Sequence, residues 1–154
     1  MRRAFGLPML LVNGILEQLS FFNPLDVIQF KRCVDETTGQ PIAYRDLLKR
    51  GAIGFSTAAA FEENDIRLED NSPEEILDAV LEMIARLEGR FDPDPSVDTR
   101  FRGITEAFLA DLEANAPEQN ETGESERFFG LALPWTTISH RYCRTNPWFL
   151  AGND

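Results

Sequence analysis

Between Ser72 and Gly89 apolar residues recur at three- and four-residue steps: Ile76, Val80, Met83, Ile84 and Leu87. That period lays them along one stripe of an amphipathic helix, and the stripe requires a core to face. The polar residues around it mark the ends. Ser72 is placed as the N-cap, Pro73 as the first helical residue and Glu75 as the third position of a capping box. Glu74 and Glu75 also sit at the positive end of the helix dipole. Gly89 suits the left-handed residue that closes such a helix. Upstream, Ile66-Arg67-Leu68 alternates as a short strand and Asp70-Asn71 makes the turn. Residues 66–89 thus predict a strand–turn–helix unit, the repeating piece of an α/β domain.

The remaining pattern supplies the sheet and its cover. Pro8-Met9-Leu10-Leu11-Val12-Asn13 is apolar up to its asparagine, the mark of a strand buried on both faces of a parallel sheet. Ala4-Phe5-Gly6 before it reads as the last turn of a helix, so the chain is expected to begin inside an element. Phe21-Phe22-Asn23-Pro24 predicts a long loop, Val27 to Arg32 a short ordered piece, and Thr37-Thr38-Gly39-Gln40 a turn. Pro41 opens a short helix with Leu47 and Leu48 inside and Lys49-Arg50-Gly51 at its close, and Ala58 to Glu63 adds another helical turn. Phe91-Asp92-Pro93-Asp94-Pro95 is a rigid connector. Ser96 then caps a second amphipathic helix carrying Val97, Phe101, Ile104, Phe108 and Leu112. Asp111 to Glu126 holds six acidic residues and no basic one, which predicts a solvated loop. The aromatic and basic tail, Ile138 to Leu150, predicts a helix ending before Pro147. Two parts follow: a sheet-bearing part over 1–90 and a helical extension over 91–154, with the acidic loop at 111–126.

Composition narrows the partners. A chain of 154 residues with 43% hydrophobic and 27% charged residues is globular, and its length matches one domain. The net charge of −11 argues against nonspecific binding to nucleic acid or to an anionic membrane. No apolar run approaches the length of a membrane span, and Gly6-Leu7-Pro8 and Asn13-Gly14 break the N-terminal run too early for a signal peptide. The two cysteines, Cys33 and Cys143, stand far apart, so free thiols in a reducing, cytoplasmic compartment are expected. One histidine, His140, leaves no His-based zinc site.

Four segments resemble, in order, the C-terminal domain of glycosyltransferases built from two Rossmann-like domains (the GT-B-like fold). Ala4 to Asn13 is similar to that domain's "fG-x-P-x-l-x-t-N" helix end and strand. Ile66 to Ile76 is similar to its "L-x-D-N-T-P-E-E-I" approach to a late helix. Phe30-Lys31 resembles an Ile-Pro-Lys segment, and Ile138 to Leu150 an Ile-Ser-x-x-Phe-Leu-x-x-Asn-Pro run, of a group of bacterial glycosyltransferases of uncertain substrate. The resemblance implies an incomplete Rossmann-like parallel-sheet domain with C-terminal helices. Its implied activity is sugar transfer from a nucleotide-sugar donor to a glycan or other acceptor, with no cofactor and no metal. Two departures stand against it. The Ser-Gly turn that holds the donor diphosphate in that fold lies upstream of the matched strand, and Asn13-Gly14-Ile15-Leu16 lacks the aromatic that the closest group carries after the asparagine. A chain of this kind is expected to be inactive alone, with an N-terminal domain or a partner chain missing.

Candidate ligand contacts follow. Asn13 ends a parallel strand, where open α/β sheets place ligands, and a turn asparagine is the ordinary alternative. Lys31 is a point charge for a diphosphate, against a solvated surface lysine. Glu17 is the candidate ribose-binding carboxylate, without a corroborating Glu-x-x-Gly spacing. Glu74 and Glu75 are accounted for by capping, and His140 has no carboxylate or nucleophile near it in sequence. Trp148 and Phe149 are expected to pack, on this chain or on a partner. Two rival functions stand beside sugar transfer: a non-catalytic interaction module using an apolar patch at the aromatic tail, and a sugar-nucleotide epimerase of the same fold.

Overall fold

A computed structural model describes residues 8–21, 26–115 and 137–152. The apolar run after Pro8 forms β1 (Leu10–Gly14), followed by a 3-10 helix over Leu16–Phe21. β1 pairs in parallel with β2 (Val27–Phe30), and β2 pairs in parallel with β5 (Thr137–Ile138), giving a three-stranded sheet of order β1-β2-β5. Every residue of the central strand is buried, including the polar Gln29. Gly14 lies where the β1–β2 register shifts. A Cβ there would stand 3.2 Å from the Ile28 side chain, so the missing side chain lets the strands close.

A second, two-stranded sheet pairs β3 (Arg32–Asp35) antiparallel with β4 (Ile66–Glu69). The strand expected at Ile66 therefore forms, outside the parallel sheet. The alternation of β4, with Ile66 buried and Arg67 exposed, belongs to a sheet that faces water on one side, and β3 offers it an antiparallel edge.

The helices are α1 (Tyr44–Lys49), α2 (Ala58–Glu62), α3 (Pro73–Leu87), α4 (Pro95–Asn115) and α5 (His140–Thr145). α1 buries Leu47 and Leu48 as expected, and Gly51 follows it at φ 79°. α3 begins with the full capping box. The Ser72 hydroxyl accepts from the Glu75 amide, and the Glu75 carboxylate accepts from the Ser72 amide. It closes with Gly89 at φ 70°. α4 starts one residue before Ser96, and the Asp94 carboxylate, not Ser96, accepts the first-turn hydrogen bond. α4 also runs on through Asp111 to Asn115, so the N-terminal end of the expected acidic loop is helical. The remainder of that loop, the helix end at Ala4–Gly6 and the loop from Phe22 lie outside the described residues.

The stripe expected on α3 is the larger correction. Met83 is buried and Ile76 partly so, whereas Val80, Ile84 and Leu87 face out. The buried side carries Ala79, Glu82 and Met83 and packs on β1 and α5. Apolar residues lie on more than one side of this helix. Periodicity alone cannot choose between the sides when a buried carboxylate has a partner waiting.

One hydrophobic cluster takes residues from both ends of the chain: Ile28 and Phe30 of β2, Tyr44 and Leu47 of α1, Phe101 and Ile104 of α4, and Tyr142 and Phe149 of the tail. Phe149 lies against Phe30, Tyr44, Tyr142 and Trp148, and its carbonyl accepts from the Tyr44 amide. Tyr142, Phe149 and Leu150 of the aromatic tail are therefore core. Among the described residues no helix is long and apolar enough to cross a membrane.

Candidate functional site

The carboxyl ends of β1 and β2 meet the turn that leads into α3. Asn13, next to last in β1, has φ 54°, the left-handed region that asparagine tolerates better than most residues. Its amide donates to Asn71 Oδ1 at 2.8 Å, and its own Oδ1 accepts from the Asn71 amide at 2.6 Å. Asn71 Nδ2 donates to the Phe30 carbonyl at 2.8 Å. One buried side chain thus ties the ends of both strands to the start of α3. Lys31, the residue after β2, donates from its amide to the Gly14 carbonyl at 2.9 Å. Its ammonium pairs with Asp70 at 2.7 Å. The Asp70 side chain is 72% exposed, so this ion pair sits in high dielectric and holds weakly. An anion arriving at the edge can replace Asp70 at low cost.

Of the sequence candidates, Asn13 and Lys31 are brought to this edge together. Glu17 lies in the 3-10 helix after β1 and takes no part in the Asn13–Asn71–Phe30 bonds. Asn71, the hub, carries only a turn signal in the sequence. It was legible as a turn residue, but its burial depends on strands contributed from elsewhere in the chain.

A second polar cluster lies under α3. Glu82, fully buried, accepts from the Ser139 hydroxyl at 2.7 Å, from the His140 amide at 2.9 Å, from the Arg141 amide at 3.1 Å and from Arg86 at 2.8 Å. Burial alone pushes its carboxyl up. The bonds from Arg86, the His140 amide, Ser139 and the Arg141 amide outweigh this and hold it below the usual range. His140, also fully buried, accepts from the Asp94 amide at Nδ1, which leaves Nε2 as the donor toward Asp98 at 3.1 Å. The carboxylate absent from its sequence neighbourhood is thus supplied by α4. Ser139 spends its hydroxyl on Glu82, and both ring nitrogens of His140 are engaged inside the protein. The cluster therefore joins α3, α4 and α5, with the Ser139 hydroxyl and both His140 ring nitrogens engaged within it.

The thiols are equally closed off. Burial raises Cys33 to about 12 and pushes Cys143 up as well, so both stay protonated and unreactive. Among the described residues no group of three or more His, Cys, Asp or Glu could hold a metal ion. The chain matches no family model, no curated protein and no solved structure.

Proposed function

We propose that this chain is the donor-side part of a glycosyltransferase-like protein of Rossmann-like architecture, and that the β1–β2 edge receives the diphosphate of a nucleotide-sugar. One observation carries the reading. Asn13 and Lys31, at the carboxyl ends of adjacent parallel strands, are held against the start of α3, and α/β sheets take their ligands at such an edge. Lys31 is the cation that a diphosphate would engage, exchanging a weak bond to Asp70 for a charge-assisted one. Glu17, in the 3-10 helix after β1, is the ribose contact in this reading. One lysine holds a diphosphate loosely, so the chain alone binds weakly and turns over no donor.

Isothermal titration with UDP-glucose, GDP-mannose and the free diphosphonucleotides tests this. The expected result is millimolar-range binding of the nucleotides with no sugar release, abolished in Lys31→Ala and retained in Arg50→Ala, whose guanidinium pairs with Asp35 elsewhere. Absence of heat with every nucleotide at millimolar concentration would overturn it, as would binding that Lys31→Ala leaves intact.

A further inference from the structure

His140 is the chain's single histidine, and its side chain is fully buried. Its hydrogen bonds fix the neutral ring in one tautomer. A backbone N–H can only donate, so the Asp94 amide requires a bare lone pair at Nδ1, 3.1 Å away. Nε2 then carries the proton and points it at the Asp98 carboxylate, also at 3.1 Å. The charged groups around the ring come from each element packed against it. α4 and its approach supply Asp98 and Asp94. α3 supplies Glu82, bonded to the His140 amide, and Arg86, whose guanidinium lies 3.8 Å from the centre of the Phe91 ring. Phe91 in turn packs on the imidazole, with ring centres 5.2 Å apart. α5 itself adds Arg144, the Cys143 thiol and Arg141, the last paired with Asp78. The connector between α3 and α4 bonds back to its own helices, the Phe91 amide to the Ala85 carbonyl and the Asp94 carbonyl to the Val97 amide. It reaches α5 through the bond at Nδ1, and Asp92 and Pro93 beside that bond are exposed.

We propose that this connector is a proton-operated latch, closed on α5 while His140 is neutral and released when the ring takes a second proton from solvent. That proton can enter only at Nδ1, because Nε2 already carries one. Nδ1–H and the Asp94 N–H then face each other as two donors with no acceptor between them. The imidazolium keeps Asp98 as its counter-charge, so the charge is held in the fold while the bond to Asp94 is lost. It also sets a second cation beside Phe91, which already carries the Arg86 guanidinium. The Asp94 backbone must move off α5 and leave water or the Asp94 carboxylate to accept from Nδ1–H. Neither Asn13 nor Lys31 takes part, so the latch is independent of the sugar-nucleotide site.

Proton–nitrogen NMR spectra of the full chain, recorded from about pH 8 down to about pH 5 where histidine changes charge, test this. At the alkaline end the His140 ring should show Nε2 protonated and Nδ1 bare. As pH falls, the ring nitrogens, the Asp94 amide and the Phe91 ring should shift together with one midpoint. Bonds from the Ser96 hydroxyl and amide hold the Asp94 carboxyl below the usual carboxylate range, so its own titration lies outside the series. Asp98→Asn keeps an acceptor for Nε2–H but removes the counter-charge, and should move the shared midpoint to lower pH. His140→Gln offers a carbonyl in place of Nδ1 and should abolish the Asp94 shift; should that variant fail to fold, Asp98→Asn carries the test. An Asp94 amide that stays fixed while the ring titrates overturns the latch. So does a ring that stays neutral until the whole chain unfolds. An Asp98→Asn midpoint equal to that of the wild type overturns the part given to Asp98.

Discussion

Asn71 shows how much one side chain carries when three segments meet on it. Its amide, Oδ1 and Nδ2 bond Asn13 twice and Phe30 once. Asn71→Ala leaves the Asn13 amide and the Phe30 carbonyl without their partner, and the expected cost is about 2 kcal/mol in urea unfolding. Asn71→Asp, nearly the same size, should be no milder, because an oxygen then faces the Phe30 carbonyl. A loss under a few tenths of a kcal/mol in both variants would show that water replaces the clamp. Glu82 makes a pH prediction. Its folded carboxyl titrates below its unfolded one, so its stabilisation is fully present above the unfolded value of about 4.3 and is lost as pH falls through the folded value. The stability gap between wild type and Glu82→Gln should be constant from neutral pH to about 5 and narrow below about 4. A gap that widens in acid would contradict the bonding pattern around Glu82.

At the scale of the element, α3 separates what is local from what is not. Ser72 and Glu75 satisfy each other across three residues, so the capping box needs no other part of the chain. Ser72→Ala should cost about 1 kcal/mol and Ser72→Gly only a few tenths, read as a shift in urea midpoint at constant slope. Equal losses in the two would mean that the hydroxyl is idle. The helix was legible from these ends, and so were α1 and the tail helix. Its orientation was not. Val80, Ile84 and Leu87 share the expected spacing with Met83, yet only Met83 is buried, because Glu82 turns inward to the Ser139 hydroxyl and the amides of His140 and Arg141. The strand at Ile66 was legible as well, whereas its antiparallel partner Arg32–Asp35 lies almost wholly beyond the ordered piece expected over Val27 to Arg32.

For the molecule as a whole, the tail is what closes the core. Phe149 stacks against β2, α1 and α5 residues at once. Phe149→Ala should cost about 3–5 kcal/mol, a large part of the roughly 5–15 kcal/mol that holds a domain folded. The variant is expected to lose most of its near-ultraviolet circular dichroism well below the wild-type melting temperature. A melting point within a few degrees of wild type would show that the tail is dispensable. Of the candidate edge, only the place of Asn13 at a strand end is a local feature, whereas Lys31 falls inside the piece expected over Val27 to Arg32, and the hub Asn71 lies 58 positions from Asn13 and 41 from Phe30. The same distance in sequence hid Asp98 from His140, 42 positions away.

By itself the amino-acid order determined α3 with its caps and the apolar strand that reaches Asn13, because those choices are made by hydrogen bonds and sterics within a few residues. Tertiary structure alone decided which side of α3 is covered, which strand β4 joins and which side chains meet at the sheet edge. Those outcomes depend on burying polar groups only where distant segments supply their partners, and no local pattern encodes that supply.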